Sequence, residues 1–263
     1  MRESRILGVV PARLGSERLP RKPLLEIGGH PLIEWVWRRV SGFRTLDACV
    51  IATDAAEVAA ACRGFRANVE MTSRSHESGT DRVAEVAGRP EWSAFDIIVN
   101  VQGDEPLIEE ETVAAAIEQV RGGRDIGTVA TPIRDVAAYA DPSVVKVTRR
   151  SDGAALYFSR APIPFRREGA PGPADLSAGL WLRHVGVYAF TRSALQRWVE
   201  LPAHELEEAE RLEQLRPLAA GLTIGVGVVE SAERGVDTPA DIERVAARLL
   251  TGEQTPSAPE ARP

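Results

Sequence analysis

Ile6-Leu7-Gly8-Val9-Val10-Pro11-Ala12-Arg13-Leu14-Gly15-Ser16-Glu17-Arg18-Leu19-Pro20-Arg21-Lys22-Pro23 is an apolar run that empties into a basic loop. The run Ile6–Val10 reads as a buried first strand. The ten residues from Arg13 to Lys22 carry four cations against the single acid Glu17, in a chain of net charge -6, so the positive charge is local. A basic loop punctuated by Gly and Pro at the carboxyl end of a first strand is where open α/β sheets hold phosphate groups. It is not a Walker loop: counting from Gly15, the second glycine position holds Pro20 and the lysine position holds Arg21. Arg13, Arg18 and Lys22 are the candidates for charge-assisted bonds to phosphate oxygens. The alternative is a solvated basic loop.

Working outward, apolar runs alternate with amphipathic stretches. Strands are expected at 6–10, 48–52, 68–71, 96–101 and 126–131, and helices at 31–41, 55–63, 80–87 and 109–119. This alternation predicts an α/β fold, a Rossmann-like and mostly parallel central sheet with helices on both faces. After about residue 132 the pattern changes to strands with turns, at 144–148, 155–158 and 183–190. A Gly-, Pro- and Ala-rich stretch at 166–180 has no period and reads as a flexible loop or connector. A helix at 206–220, which Pro217 ends or kinks, a strand at 222–229 and a helix at 239–250 complete the chain. The polar tail 251–263, with three prolines, is expected to be disordered.

A chain of 263 residues with 44% hydrophobic and 27% charged residues suits one sizeable core or a main domain with an appendage. No apolar run approaches the ~18 residues of a membrane span, so no membrane insertion is expected. Its first strand starts too early for a signal peptide. Cys49 and Cys62 lie in an apolar strand and an Ala-rich helix with no metal-ligand spacing. These features favour a cytoplasmic protein. The acidic balance argues against nucleic acid as a partner.

Val99-Asn100-Val101-Gln102-Gly103-Asp104-Glu105-Pro106 ends a strand on a carboxylate pair at the same sheet edge as the first loop. Nucleotidyl or phosphoryl transfer needs a hard cation, and Mg²⁺ takes one or two carboxylates plus phosphate oxygens. Asp104 is the better ligand candidate; Glu105 is a supporting group or a solvated turn residue. Asp237 in Val236-Asp237-Thr238-Pro239-Ala240-Asp241 is a second candidate. A helix start, with Asp237 or Thr238 as N-cap and Pro239 at the first position, explains the same spacing. Ser78-Gly79-Thr80 joins a strand to a helix; it is a capping segment, a place where a flat base meets the backbone, or both. In the C-terminal half, Arg160, His184, Tyr188, Glu213 and Gln214 form a polar set, with His184 and Tyr188 alternating along one strand face. Taken singly, a lone histidine on a strand is more often structural, and a charge run on a helix is usually a solvated face.

Taken in order, the motifs resemble one family. They are Pro-Ala-Arg-x-x-Ser-x-Arg-Leu-Pro-x-Lys-Pro-Leu (11–24), Ser-Gly-Thr-Asp-Arg (78–82), Val-Asn-Val-Gln-Gly-Asp-Glu-Pro (99–106), Tyr-Phe-Ser-Arg-Ala-x-Ile-Pro (157–164), Arg-His-x-Gly-x-Tyr (183–188), Leu-Glu-Gln-Leu-Arg (212–216) and Val-Asp-Thr-Pro-x-Asp (236–241). Together they resemble the 3-deoxy-manno-octulosonate (Kdo) cytidylyltransferases of lipopolysaccharide assembly, over about residues 5–250.

The resemblance implies transfer of CMP from CTP to the anomeric hydroxyl of Kdo, with Mg²⁺, giving CMP-Kdo and pyrophosphate. It implies that Arg13 and Lys22 hold the triphosphate, assisted by Arg18. Arg13, Lys22 and Asp104 would be the catalytic groups, and Asp104 and Asp237 the ligands of Mg²⁺. Ser78, Gly79 and Thr80 would border the cytosine. Gln102, Arg160, His184, Tyr188, Glu213 and Gln214 would line the sugar pocket, with Arg160 on the Kdo carboxylate. It further implies a single nucleotidyltransferase domain over 1–250 and a homodimer built by a smaller subdomain at about 132–200. Arg21 stands where the family commonly has glycine, and the 166–180 loop looks divergent. A sugar-nucleotide binder without catalysis would lack Lys22, Asp104 or Asp237; all three are present.

Overall fold

The computed structural model of the chain describes residues 4–15 and 19–251. Arg18, and the tail beyond residue 251, lie outside the described residues. In chain order the elements are β1 (Ile6–Ala12), a 3₁₀ turn (Lys22–Leu24), β2 (Glu26–Ile27), β3 (His30–Pro31), α1 (Leu32–Ser41), β4 (Ala48–Thr53), α2 (Ala56–Gly64), β5 (Val69–Met71), α3 (Gly79–Ala87), β6 (Ile97–Asn100), α4 (Glu110–Arg121), β7 (Ile126–Pro132), α5 (Val136–Ala140), β8 (Lys146–Arg149), β9 (Ala155–Ser159), α6 (Pro173–Ser177), β10 (Leu182–Thr191), α7 (Arg192–Glu200), α8 (Glu205–Glu210), α9 (Leu215–Ala219), β11 (Ile224–Val228) and α10 (Pro239–Leu250). The chain packs as two units, one from Met1–Glu110 with Glu233–Pro263 and the other from Glu111–Ala232.

In the first unit β6, β1, β4 and β5 lie side by side, every pairing parallel. The central strands are apolar on both faces: Ile6, Leu7, Val9 and Val10 of β1 and Cys49, Val50, Ile51 and Ala52 of β4 are all buried. That is the pattern of a sheet covered on both sides. From β1 the chain steps to β4 and then β5, and returns across to β6 on the other side of β1. Right-handed crossovers place α1 and α2 on one face and α3 on the other. The carboxyl ends of β1 and β6 therefore meet where the connections diverge, the position at which open α/β sheets form their ligand crevice.

The last helix belongs to this first unit. Val236, Val245 and Leu249 join Leu19, Ile27, Leu32, Trp35 and Leu107 in one buried cluster. Trp35 Nε1 also donates to Ile27 O at 2.9 Å, fixing the short β2–β3 hairpin that the sequence reading did not separate from its loop.

In the second unit β7 pairs parallel with β11 and antiparallel with β10. The β8–β9 hairpin extends from the start of β10, with Lys146 beside both Ser159 and Arg183. The 166–180 stretch contains the short helix α6, whose buried Leu176 packs with Ile133, Tyr139, Val144 and Trp181. The expected single helix over 206–220 is two pieces. Arg211 adopts a left-handed conformation (φ 52°) and ends α8 six residues before Pro217, which sits harmlessly in the first turn of α9. Helix α7 escaped the sequence reading because only Ala194, Leu195 and Trp198 of its nine residues are buried.

Helix α4 lies close on β7. A Cβ placed on Gly127 would stand 1.9 Å from Ala116 O. Gly127→Ala is expected to lose about 1–3 kcal/mol or more through overpacking, read as a lower midpoint in urea unfolding with an unchanged slope.

Candidate active site

Three segments distant in sequence converge in the first unit. The basic loop tightens into the 3₁₀ turn at Lys22, with Lys22 N–H donating to Leu19 O (3.2 Å) and Leu24 N–H to Arg21 O (2.8 Å). The strand β6 runs out into Gln102-Gly103-Asp104. Gly103 is required there, because a Cβ would sit 2.6 Å from Pro11 O. The third segment, 235–237, lies along Asp104: Val236 N–H donates to Asp104 O at 2.8 Å, and a Cβ on Gly235 would press on that oxygen at 3.1 Å.

Lys22 Nζ is the meeting point. It donates to Asp104 Oδ2 at 2.6 Å, Asp237 Oδ1 at 3.1 Å and Val236 O at 3.0 Å. Its side chain is only 15% exposed. Burial pulls its pKa down, but Asp104 and then Asp237 outweigh burial and raise it, so the ammonium stays charged. The helix-start reading holds, with Thr238 rather than Asp237 as the cap. Thr238 is the N-cap of α10, forming a capping box with Asp241, which leaves the Asp237 carboxylate to face Lys22.

This donor set fits a hard divalent cation. Two carboxylates are drawn to one point and a positive charge already rests between them. Among the described residues no group of three or more His, Cys, Asp or Glu is arranged around a metal position. Mg²⁺ needs no such cage, since it takes one or two carboxylates and completes its shell with water and phosphate oxygens.

Beside this corner, Arg13 Nη1 donates to Glu77 O at 3.2 Å, tying the end of β1 to the loop that enters α3. Ser78 caps that helix: its N–H and hydroxyl both reach Asp81 Oδ2, and its oxygen accepts from Asp81 N–H. Gly79 lies against Pro11, and a Cβ there would be 3.4 Å from the proline ring and 4.0 Å from Gln102 Oε1. Thr80 is buried. Gln102 thus stands next to Gly79, in the first unit. Arg82 is also buried; it donates to Thr72 Oγ1 and Ser73 O and pairs with Asp54, anchoring the loop from below. Arg21, by contrast, turns its guanidinium to the exposed Glu57. Its φ of 59° lies in the left-handed region that favours glycine.

The remaining candidates lie in the second unit. The β10 ladder against β7 slips between Val185 and Tyr188, leaving Gly186 and Val187 in a bulge. In a regular strand, residues four apart stand ~13 Å from one another. Across the bulge the His184 and Tyr188 rings are 5.5 Å apart, and the Phe158 ring is 5.0 Å from His184. Burial, then the neighbouring Arg183, pulls the His184 pKa down to about 3, so the ring is neutral. Burial, then Glu213, raises the Tyr188 pKa well above its ordinary value, so its hydroxyl keeps its proton. Gln214 is buried and Glu213 exposed on the segment between α8 and α9. The helix break at Arg211 frees carbonyls that Arg160 takes up: Nε donates to Glu210 O (2.7 Å), Nη2 to Arg211 O (3.3 Å) and Nη1 to Pro142 O (3.1 Å). Each Nη retains a second N–H, so the guanidinium is fixed in place while donors remain for a ligand.

Two residues of this second set were not legible. Glu210 holds Ser159 Oγ (2.6 Å) and Arg160 N–H (2.9 Å), but in the sequence it is one acid among the many of α8. Fully buried Lys146 donates to the carbonyls of Asp141, Val144 and Arg160. Its only signal was a lysine inside an apolar strand.

A histidine held neutral makes the fold sensitive to acid. The unfolded chain takes up a proton near pH 6.5 and the folded one only near pH 3, so stability is complete above 6.5 and falls as pH drops through that window. The loss from this group is at most about 1.4 kcal/mol per pH unit. Replacing His184 with Asn is expected to flatten the slope of unfolding free energy against pH between 6 and 4, measured by urea titration; an unchanged slope would show that His184 is not the group responsible.

Comparisons with known proteins show the family. The cytidylyltransferase family model matches residues 7–224. The 3-deoxy-manno-octulosonate cytidylyltransferase of Gemmatimonas aurantiaca is 52% identical over 240 residues, 91% of this chain and 92% of the relative. That of Geobacter sulfurreducens is 43% identical, covering 93% and 99%. A structure of CMP:2-keto-3-deoxy-manno-octonic acid synthetase complexed with CTP superposes with a TM-score of 0.85 at 40% identity, covering 94% of this chain and 99% of the other. A cytidylyltransferase from Leptospira borgpetersenii shares the fold at 15% identity and a TM-score of 0.61. With motif order and full-length similarity in accord, the chain belongs to the 3-deoxy-manno-octulosonate cytidylyltransferase family.

Proposed function

We propose that this chain transfers the CMP group of CTP to the anomeric hydroxyl of Kdo, releasing pyrophosphate, for lipopolysaccharide assembly. The observation that carries the reading is Lys22 held between Asp104 and Asp237 at the crevice of the sheet. In this reading the triphosphate enters beside Lys22, and the ammonium exchanges carboxylate oxygens for phosphate oxygens. Arg13 follows β1 directly and supplies a second cation at the same edge, with Arg18 assisting. Ser78, Gly79 and Thr80 border the cytosine, where the Ser78 cap and the Arg82 anchor keep the backbone rigid. Asp104 and Asp237 would hold Mg²⁺, which neutralises phosphate charge when bound. On the sugar side, Arg160 offers its remaining N–H donors to the Kdo carboxylate, a planar anion matched to a guanidinium fork. Gln102, His184, Tyr188, Glu213 and Gln214 supply polar contacts to the hydroxyls. The protein's work is positioning and charge stabilisation rather than covalent chemistry.

We further propose a cytoplasmic homodimer. No helix among the described residues is long and apolar enough to cross a membrane. Leu156, Phe165 and Leu180 are exposed large apolar side chains, all within the 132–200 segment, which supports reading that segment as the dimerisation subdomain.

Pyrophosphate release from CTP with a panel of ulosonic acids tests the reaction, and Kdo is expected to be turned over with the highest kcat/KM. No turnover with Kdo would refute it. Asp104→Asn is expected to lower kcat by about 10²-fold or more with the fold intact. Arg21→Ala, which removes only the exposed pair with Glu57, is expected to change kcat/KM less than about twofold. Sedimentation should give a dimer mass that Phe165→Glu reduces.

A further inference from the structure

The β10 bulge sets a hydrogen-bond direction that the reaction reading leaves open. Thr128 of β7 is fully buried beneath it. Its Oγ1 lies 2.8 Å from Val187 O, 3.3 Å from Val185 O and 2.9 Å from His184 Nε2. A threonine hydroxyl has one proton to give. Carbonyl oxygens only accept, so a hydroxyl proton aimed at His184 would leave a buried 2.8 Å contact between two lone-pair-bearing oxygens. The proton therefore goes to Val187 O. His184 Nε2 must then be the donor to Thr128 Oγ1. The ring is neutral and carries one proton, which this bond places on Nε2. Nδ1 is left with its lone pair, and no other hydrogen bond to the ring is found among the described residues. His184 as a residue is part-buried, and a Cβ on Gly186, two residues along β10, would meet no atom within 4 Å.

We propose that Thr128 is a positioning residue that fixes His184 as its neutral Nε2–H tautomer, so that Nδ1 accepts a hydrogen bond from a hydroxyl of the sugar acid. The proposal rests on the reading that His184 faces the sugar. It assigns the imidazole a fixed polarity. It accepts from a hydroxyl and gives nothing to the carboxylate, which is left to Arg160. A site built this way rejects an analogue that lacks the hydroxyl or has it capped as a methyl ether, because the bound sugar then covers the acceptor and leaves it unpaired.

Nitrogen chemical shifts of the ¹⁵N-histidine-labelled protein test this directly, with His184 assigned by the signal missing from His184→Asn. The wild type is expected to show a protonated Nε2 and an unprotonated Nδ1, unchanged from pH 8 to pH 5.5. Thr128→Val, nearly isosteric, should lose this single tautomer and raise the KM for the sugar acid about tenfold, the scale of one buried hydrogen bond, with the KM for CTP unchanged. Thr128→Ser should restore both. A protonated Nδ1 in the wild type overturns the proposal without any variant having to fold. So does a folded Thr128→Val with unaltered tautomer and sugar KM. If His184→Asn leaves the sugar KM unchanged while the wild-type tautomer is as stated, the sugar-facing reading of His184 fails instead.

Discussion

The ion pair of Lys22 with Asp104 and Asp237 is the constraint on which the first unit turns. It joins the loop after β1, the end of β6 and the start of the last helix, segments 82 and 215 residues apart from Lys22. A part-buried ammonium is tolerated there because two carboxylates and the Val236 carbonyl surround it. The arrangement is preorganised in a particular sense. It collects negative charge at one point and neutralises it with a cation that can be exchanged, which suits the proposed binding of a metal ion and a triphosphate there.

Packing supplies what electrostatics alone could not. Val236, Val245 and Leu249 bury themselves among Leu19, Ile27, Leu32, Trp35 and Leu107. That apolar cluster delivers Asp237 to the site; the ion pair then fixes its orientation. The glycines at 103 and 235 mark where backbones approach within van der Waals contact of Pro11 and Asp104. In the second unit the comparable device is irregularity. A bulge in β10 lies between His184 and Tyr188, and a broken helix opens two carbonyls to Arg160. Both features orient polar side chains, and both cost regular hydrogen bonding that neighbouring side chains restore.

The parallel strands were legible because they are buried on both faces and read as continuous apolar runs; the observed bounds of β1, β4 and β6 differ from the expected ones by one or two residues. Asp104 was legible because it follows such a strand at a glycine. Thr128, Lys146 and Glu210 were not, since a threonine in a strand, a lysine in a strand and a glutamate in an acidic helix are ordinary until their partners are known. The 206–220 segment misled for a related reason. Its charged residues and leucines run on without a turn signal across a break that is made by the left-handed conformation of Arg211, a residue with no strong turn preference.

The sequence by itself determined the alternation of strands and helices, the basic character of the first loop, the start of α10 at Pro239, and, through the order of seven motifs, the family. These are local or colinear properties, carried by residue type and spacing. Only the tertiary structure decided that Asp237 faces Lys22 rather than capping its helix, that Arg21 turns away to Glu57, and which ring nitrogen of His184 carries the proton. Each of these depends on a partner brought near by folding, and the partner's position follows from burial of apolar surface elsewhere in the chain.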